Sequence, residues 1–238
     1  MSLIFRGLAE PQMHQLRDNL FLLESSDPGA RRVGLSTNSY AIAVADRVLL
    51  FDMGASPLVP FVRQLRDRGF APAGLVLSHR HVARNGDAVH ALATEFAIPV
   101  LLHPLDAHHP EAAIDVRYED PMGHPLLAAF GLAALHVPGH TAGHIMLYGA
   151  DQGGLLLTGD AAMGPTAAQA ESGMERLVRP PIDMEVDDAQ LRERWQSFDL
   201  HVATVLPYHG TGYMDRADDL PTIMDPLRRP EPTLGMLG

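Results

Sequence analysis

The sequence predicts an α/β chain built on mixed β-sheets, and three observations carry that expectation. Short apolar runs of strand type recur along the chain and stop abruptly at Gly, Pro or Asp. Some neighbouring runs are joined by tight turns, as hairpins are, whereas others are separated by stretches of helical period. The chain has 238 residues, 46% of them hydrophobic and 20% charged, enough to bury a sizeable core. A single domain over 1–238 is the expectation, with no linker and no internal repeat.

Taken in order, 19–24 reads as a strand and 25–32, with Asp27-Pro28-Gly29, as a turn or loop. Residues 38–44 and 47–52 form a hairpin across Ala45-Asp46. From 57 to 70, Leu58, Phe61, Val62 and Leu65 recur at helical spacing, with Arg63, Arg66, Asp67 and Arg68 on the other face. A strand over 74–78 leads into Ser78-His79-Arg80-His81, and a second helix runs over 86–96 with Asn85 as its cap. Residues 98–103 are strand-like, and 105–123 read as a long irregular surface segment. Beyond it come a strand over 132–137, a turn over 140–144, and a hairpin of 145–148 with 154–158. Residues 161–182 form a loop with room for a short helix. A helix over 187–198 is capped by Asp187 or Asp188, a strand covers 202–206, and the tail from Thr222 is a short helix followed by an extended end.

Composition excludes several chemistries. All 18 basic residues are Arg, so Schiff-base and phosphate-loop lysines are absent. Without Cys there is no disulfide, thiolate ligand or cysteine nucleophile. A net charge of −11 argues against a nucleic-acid surface. No apolar run approaches the length of a membrane span and no signal peptide is evident, so the expectation is a cytoplasmic protein with no membrane or nucleic-acid partner. Homo-oligomerisation is left open.

Five strand-like runs share one grammar: each ends in an ionisable residue at its turn. These are Asp52, the pair His79 and His81, His140, Asp160 and His209. Side chains two apart on a strand share a face, so His79 and His81 point the same way. Strand ends at one sheet edge converge. Several His with a carboxylate suit Zn²⁺, Fe²⁺ or Mn²⁺. His144 reads as a structural hydrogen-bonding residue, and His103, His108 and His109 as surface positions near the cleft.

The order and spacing of these stops, with Val137-Pro138-Gly139-His140-Thr141-Ala142-Gly143-His144, resemble the metallo-β-lactamase fold superfamily in its glyoxalase II style. The resemblance spans about Asn38 to Gly210. It implies a four-layer αβ/βα sandwich of two mixed sheets with a metal at one edge. It implies His79, His81 and His140 as ligands of a first metal, Asp160 as a further or bridging ligand, and His209 at a second position. Asp52 becomes the residue that orients the site. The family's block continues with Asp and His where this chain has Ala83 and Arg84, so both second-metal ligands are missing. One divalent ion is therefore expected, Zn first, with Fe or Mn as alternatives. Arg84 is expected to enter the vacated space, pair with Asp160 or bind a substrate carboxylate.

The function implied is a hydrolase of a small ester, thioester or amide, with Asp160, His209 and Arg84 as its catalytic groups. A mononuclear iron dioxygenase of the persulfide dioxygenase type, using His79, His140 and Asp160, is the alternative. A non-catalytic metal- or ligand-binding relative is a further one. Arg176 and Arg179, with Met163, Met174 and Met184 near them, suggest an anionic small-molecule substrate.

Overall fold

A computed structural model of the chain describes residues 1–6, 10–25, 28–53, 58–84, 86–112, 116–184 and 186–230. The chain opens with strands β1 (Ser2–Leu3), β2 (Gln12–Arg17) and β3 (Leu20–Ser25) and the short helix α1 (Pro28–Arg32). Then follow β4 (Thr37–Val44), β5 (Arg47–Phe51), α2 (Val59–Asp67), β6 (Ala71–Val76) and α3 (Gly86–Phe96). The middle holds β7 (Val100–Leu101), α4 (Pro104–Ala107), β8 (Tyr118–Glu119), α5 (Pro125–Ala129) and β9 (Ala133–His136). The last third comprises β10 (Ile145–Gly149), β11 (Leu155–Gly159), α6 (Ala167–Glu171), α7 (Asp188–Gln196), β12 (Thr204–Pro207), β13 (Gly212–Tyr213) and α8 (Leu220–Met224).

One sheet runs β2-β3-β4-β5-β6-β7-β8 and the other β1-β13-β12-β11-β10-β9. The first is antiparallel from β2 to β5 and parallel from β5 to β8. The second is antiparallel except where β11 runs parallel to β12. Both sheets are mixed, as the alternation of hairpins and strand–helix units predicts.

Alternation along the strands builds the layers. Tyr40, Ile42, Leu49 and Phe51 face inward and meet Ile145, Leu147, Leu157 and Leu206 of the other sheet. The intervening Ala41, Val48 and Leu50 face outward and pack on Val62, Leu65, Val89 and Leu92 of α2 and α3. On the far side, Met146, Leu156 and Val205 pack on Leu191 and Trp195 of α7 and Ile223 of α8. Both faces of each sheet are thus covered, which is why the central strands read as unbroken apolar runs.

Helix α3 covers the predicted span, and Asp187 caps α7 by accepting from Gln190 N at 2.9 Å. The expected cap Asn85, the helix start at Pro57 and the tail beyond Pro230 lie outside the described residues. Residues 28–32, read as loop, form α1. The segment 105–123 is less irregular than expected: it carries part of α4, a 3₁₀ turn over Pro110–Ala112 and β8. His103 caps α4 by accepting from Leu105 N and stacks on His136 with ring centroids 4.2 Å apart.

Candidate metal centre

The two sheets meet at one edge, and the ionisable stops gather there. Ile145 N donates to Ser78 O across 2.8 Å, tying the end of β6 to the start of β10. Asn38 Nδ2 donates to the carbonyls of Pro207 and Gly210 at 3.0 and 2.9 Å, and Tyr40 Oη to that of Pro207 at 2.7 Å. These bonds fix the turn that carries His209 against β4.

His79, His81 and His140 form a cluster whose candidate donor atoms lie within 4.8 Å of one another. His81 Nδ1 and His140 Nε2 are 3.0 Å apart. Asp160 Oδ2 sits among the imidazoles, 3.4 Å from His79 Nε2, 3.6 Å from His140 Nε2 and 3.9 Å from His209 Nε2. His79, His140 and Asp160 are buried, and His81 and His209 are partly open. His79 Nε2 is buried and makes no hydrogen bond among the described residues. A buried acceptor or donor left so is costly unless something binds there. Three imidazoles and a carboxylate at this spacing fit a divalent metal.

Electrostatics agree with that fit. Burial, followed by the neighbouring imidazoles, pushes the basicity of His79 and His140 well below the ordinary histidine range. Burial, then Arg84 and Arg80, lowers the pKa of His81 to about 4. Ligands must be neutral imidazoles, so these groups are in the binding state at neutral pH.

His79, Asp160 and His209 are each oriented by a partner. Asp52, at φ 57° and fully buried, accepts from Ser78 N at 2.7 Å, and Ser78 Oγ lies 2.8 Å from His79 Nδ1. Burial, opposed by the Ser78 hydrogen bonds, pushes the Asp52 carboxyl up to about 8. His144 accepts from Asp160 N at 3.1 Å and stacks on His79, a structural part as expected. His209 Nδ1 donates to Ser36 O at 2.7 Å, which leaves its Nε2 bare and turned to Asp160. Gly159, at φ 52°, admits this packing: a Cβ there would stand 2.6 Å from the Ser78 side chain.

Sequence reasoning missed Asp106. Fully buried on α4, it accepts from Arg80 N at 2.9 Å, Thr141 Oγ1 at 2.6 Å and Gly143 N at 2.9 Å. It thereby clamps the turn bearing His79 and His81 to the turn bearing His140. A Cβ on Gly143 would lie 2.7 Å from Asp106 N, so only Gly fits that turn. The local signal was weak, an Asp two residues after His103-Pro104 in a polar stretch.

Two expectations require correction. Arg84 does not enter the vacated space or pair with Asp160. The 3₁₀ turn over Val82–Arg84 buries Val82 and Ala83 in apolar surroundings and turns Arg84 outward, 59% exposed, where it meets Glu111 at 3.1 Å. Arg179 is no substrate anchor. It is fully buried, paired with Asp188 at 2.7 Å and bonded to the carbonyls of Leu227 and Arg229.

The sequence matches the family described as the metallo-beta-lactamase superfamily over residues 32–209. It is 28% identical over 138 residues to the hydroxyacylglutathione hydrolase of Methylobacillus flagellatus, 53% of this chain and 52% of that protein. The chain therefore spans about half the length of that curated relative. Among solved structures, the DIM-1 metallo-beta-lactamase is similar with a TM-score of 0.65 at 16% identity, covering 90% of this chain and 96% of that one. TTHA1623 in a di-iron-bound form is similar at 0.54 and 22% identity, covering 86% and 94%. At such identities the structural likeness speaks for the fold.

Proposed function

Because the chain belongs to the metallo-beta-lactamase superfamily, we propose that it is a metal-dependent hydrolase of a small thioester, working with one divalent ion, Zn²⁺ first. The observation that carries this is Asp160 Oδ2 lying within 4 Å of three imidazole nitrogens, beside the cluster that already contains His81. The choice of thioester over ester or amide rests on the relative named hydroxyacylglutathione hydrolase.

In this reading His79, His81 and His140 hold the ion, with Asp160 beside them on the side of His209. When bound, the ion supplies Lewis acidity, polarising a carbonyl oxygen and acidifying water. The rest is done by this chain. Asp52 and Ser78 hold the His79 ring, and His144 holds the Asp160 backbone. The proton released by the attacking water goes to His209 Nε2, whose opposite nitrogen is pinned to the Ser36 carbonyl. That arrangement replaces the base lost with the family's Asp at position 83. Two remaining residues at the second position, Asp160 and His209, are too few to hold a second catalytic ion.

The test is hydrolysis of a hydroxyacylglutathione by the purified chain, before and after chelation. Activity that disappears with the chelator and returns with one equivalent of Zn²⁺ supports the reading. His209→Gln should lower kcat by about 10²–10⁴ and leave metal content unchanged. The iron dioxygenase reading keeps one specific support, since His79, His140 and Asp160 form a two-histidine, one-carboxylate set. Co-purifying iron with oxygen uptake would favour it and sink the hydrolase.

A further inference from the structure

Glu111 lies outside the cluster described above, on the 3₁₀ turn Pro110–Ala112, and a surface carboxylate there would ordinarily be mobile. Here both of its oxygens are held. Arg80 Nε donates to Oε2 at 3.0 Å and Arg84 Nη2 to Oε1 at 3.1 Å. The same Oε2 lies 3.4 Å from His81 Nε2. The opposite nitrogen of that ring, Nδ1, faces His140 Nε2 inside the cluster. The imidazole of His81 thus stands between the donor cluster and a fixed carboxylate.

We propose that Glu111 is a positioning residue of the metal centre: its Oε2, 3.4 Å from His81 Nε2 and held there by Arg80 and Arg84, favours the proton on Nε2, so that Nδ1 is the nitrogen presented to the ion. The inference rests on the metal-site reading above. Imidazole ligands that donate their second N–H to a carboxylate are fixed in tautomer and ring orientation and are more basic donors. The position at which the family's second-metal histidine is missing has acquired another use. Arg84 acts from the surface on the first-metal ligand, through Glu111. The pair also closes a short loop in sequence, since Arg80 and Arg84 flank His81 and all three converge on one carboxylate.

The experiment is Zn²⁺ affinity of the full chain, measured by competition with a chromogenic chelator, for the wild type, Glu111→Ala, Glu111→Gln and Arg84→Met. Glu111→Ala should weaken Zn²⁺ binding by about 10–100-fold. Glu111→Gln keeps an acceptor oxygen without the charge and should lose less. Arg84→Met should shift affinity the same way by a smaller factor. The visible spectrum of the Co²⁺-loaded chain should change in Glu111→Ala, a readout that a merely structural carboxylate would not move. Metal-free thermal unfolding should stay near wild type, because Glu111 and Arg84 are both solvent-exposed. If Glu111→Ala fails to fold, Arg84→Met alone must still weaken Zn²⁺ binding. A wild type that binds Zn²⁺ while all three variants bind it equally tightly overturns the proposal alone. A wild type that binds no Zn²⁺ overturns the metal-site reading and this proposal with it.

Discussion

Restoring the family's residues in Ala83→Asp with Arg84→His asks directly why one ion, not two, is expected. Ala83 is 0% exposed and packs in the cluster of Val82, Leu77 and Val89. A carboxyl placed there without a partner costs about 1–3 kcal/mol. Losing the Arg84–Glu111 ion pair adds at most about 1 kcal/mol, because both side chains are more than a third exposed and screened. The metal-free double variant should therefore lose roughly 1–4 kcal/mol, or about 2–16 °C in Tm for a chain of this size. In the proposed reading Asp160 and His209, whose Oδ2 and Nε2 lie 3.9 Å apart, would complete a second position. At free Zn²⁺ about 100-fold above its Kd, a second ion returns about 2.7 kcal/mol. The assay is metal content by mass spectrometry, alongside thermal melts with and without Zn²⁺. The double variant should bind two equivalents and gain more Tm from Zn²⁺ than the wild type does. A variant that stays at one equivalent and melts low in both conditions would refute the reasoning about positions 83 and 84.

Asp106→Ala leaves Arg80 N, Thr141 Oγ1 and Gly143 N without their acceptor. Even if water satisfies some of them, a loss of roughly 3 kcal/mol is expected, seen as a Tm about 6–12 °C lower, together with weaker Zn²⁺ binding. An unchanged Tm would show that Asp106 does not clamp the two turns. Gly159→Ala forces a Cβ to 2.6 Å from Ser78 and 2.8 Å from His144 Nε2 at a positive φ. Both metal-free stability and Zn²⁺ affinity should fall, measured by melts and chelator competition. Away from the site, Arg216 and then Ser2 hydrogen-bond Glu175 and lower its pKa to about 2. A depressed carboxylate pKa gives stability that is present above the unfolded value near 4.5 and is lost as pH falls toward 2. Arg216→Met should therefore flatten the acid limb of the Tm profile between these values, by a small amount because the pair is exposed.

The part of the fold that could be read from sequence is the part made by chain-local patterns. Strands β3 to β6, β10 and β11 are apolar runs buried on both faces, and α2, α3 and α7 show their period. The strands missed are β1, β8 and β13, each two residues long, and β2, an edge strand with exposed residues, so none of them shows as an apolar run. Helices α1 and α5 span five residues each, too short to show a period, and both begin at Pro. The same division holds at the site. Asp52, His79, His81, His140, Asp160 and His209 each end an apolar run, and the structure brings them to one edge. Asp106 and Glu111 are defined only by what approaches them in space, in a polar segment with no period. Arg84 stands out in the sequence for what its position lacks, whereas its pairing with Glu111 follows from the 3₁₀ turn that aims it outward.

The number of tightly bound metal ions per wild-type chain tests the central claim most directly. Protein purified without added metal, then titrated with Zn²⁺ and counted by mass spectrometry, should hold one equivalent, and His140→Ala should hold none tightly. Two tightly bound equivalents in the wild type would contradict the account.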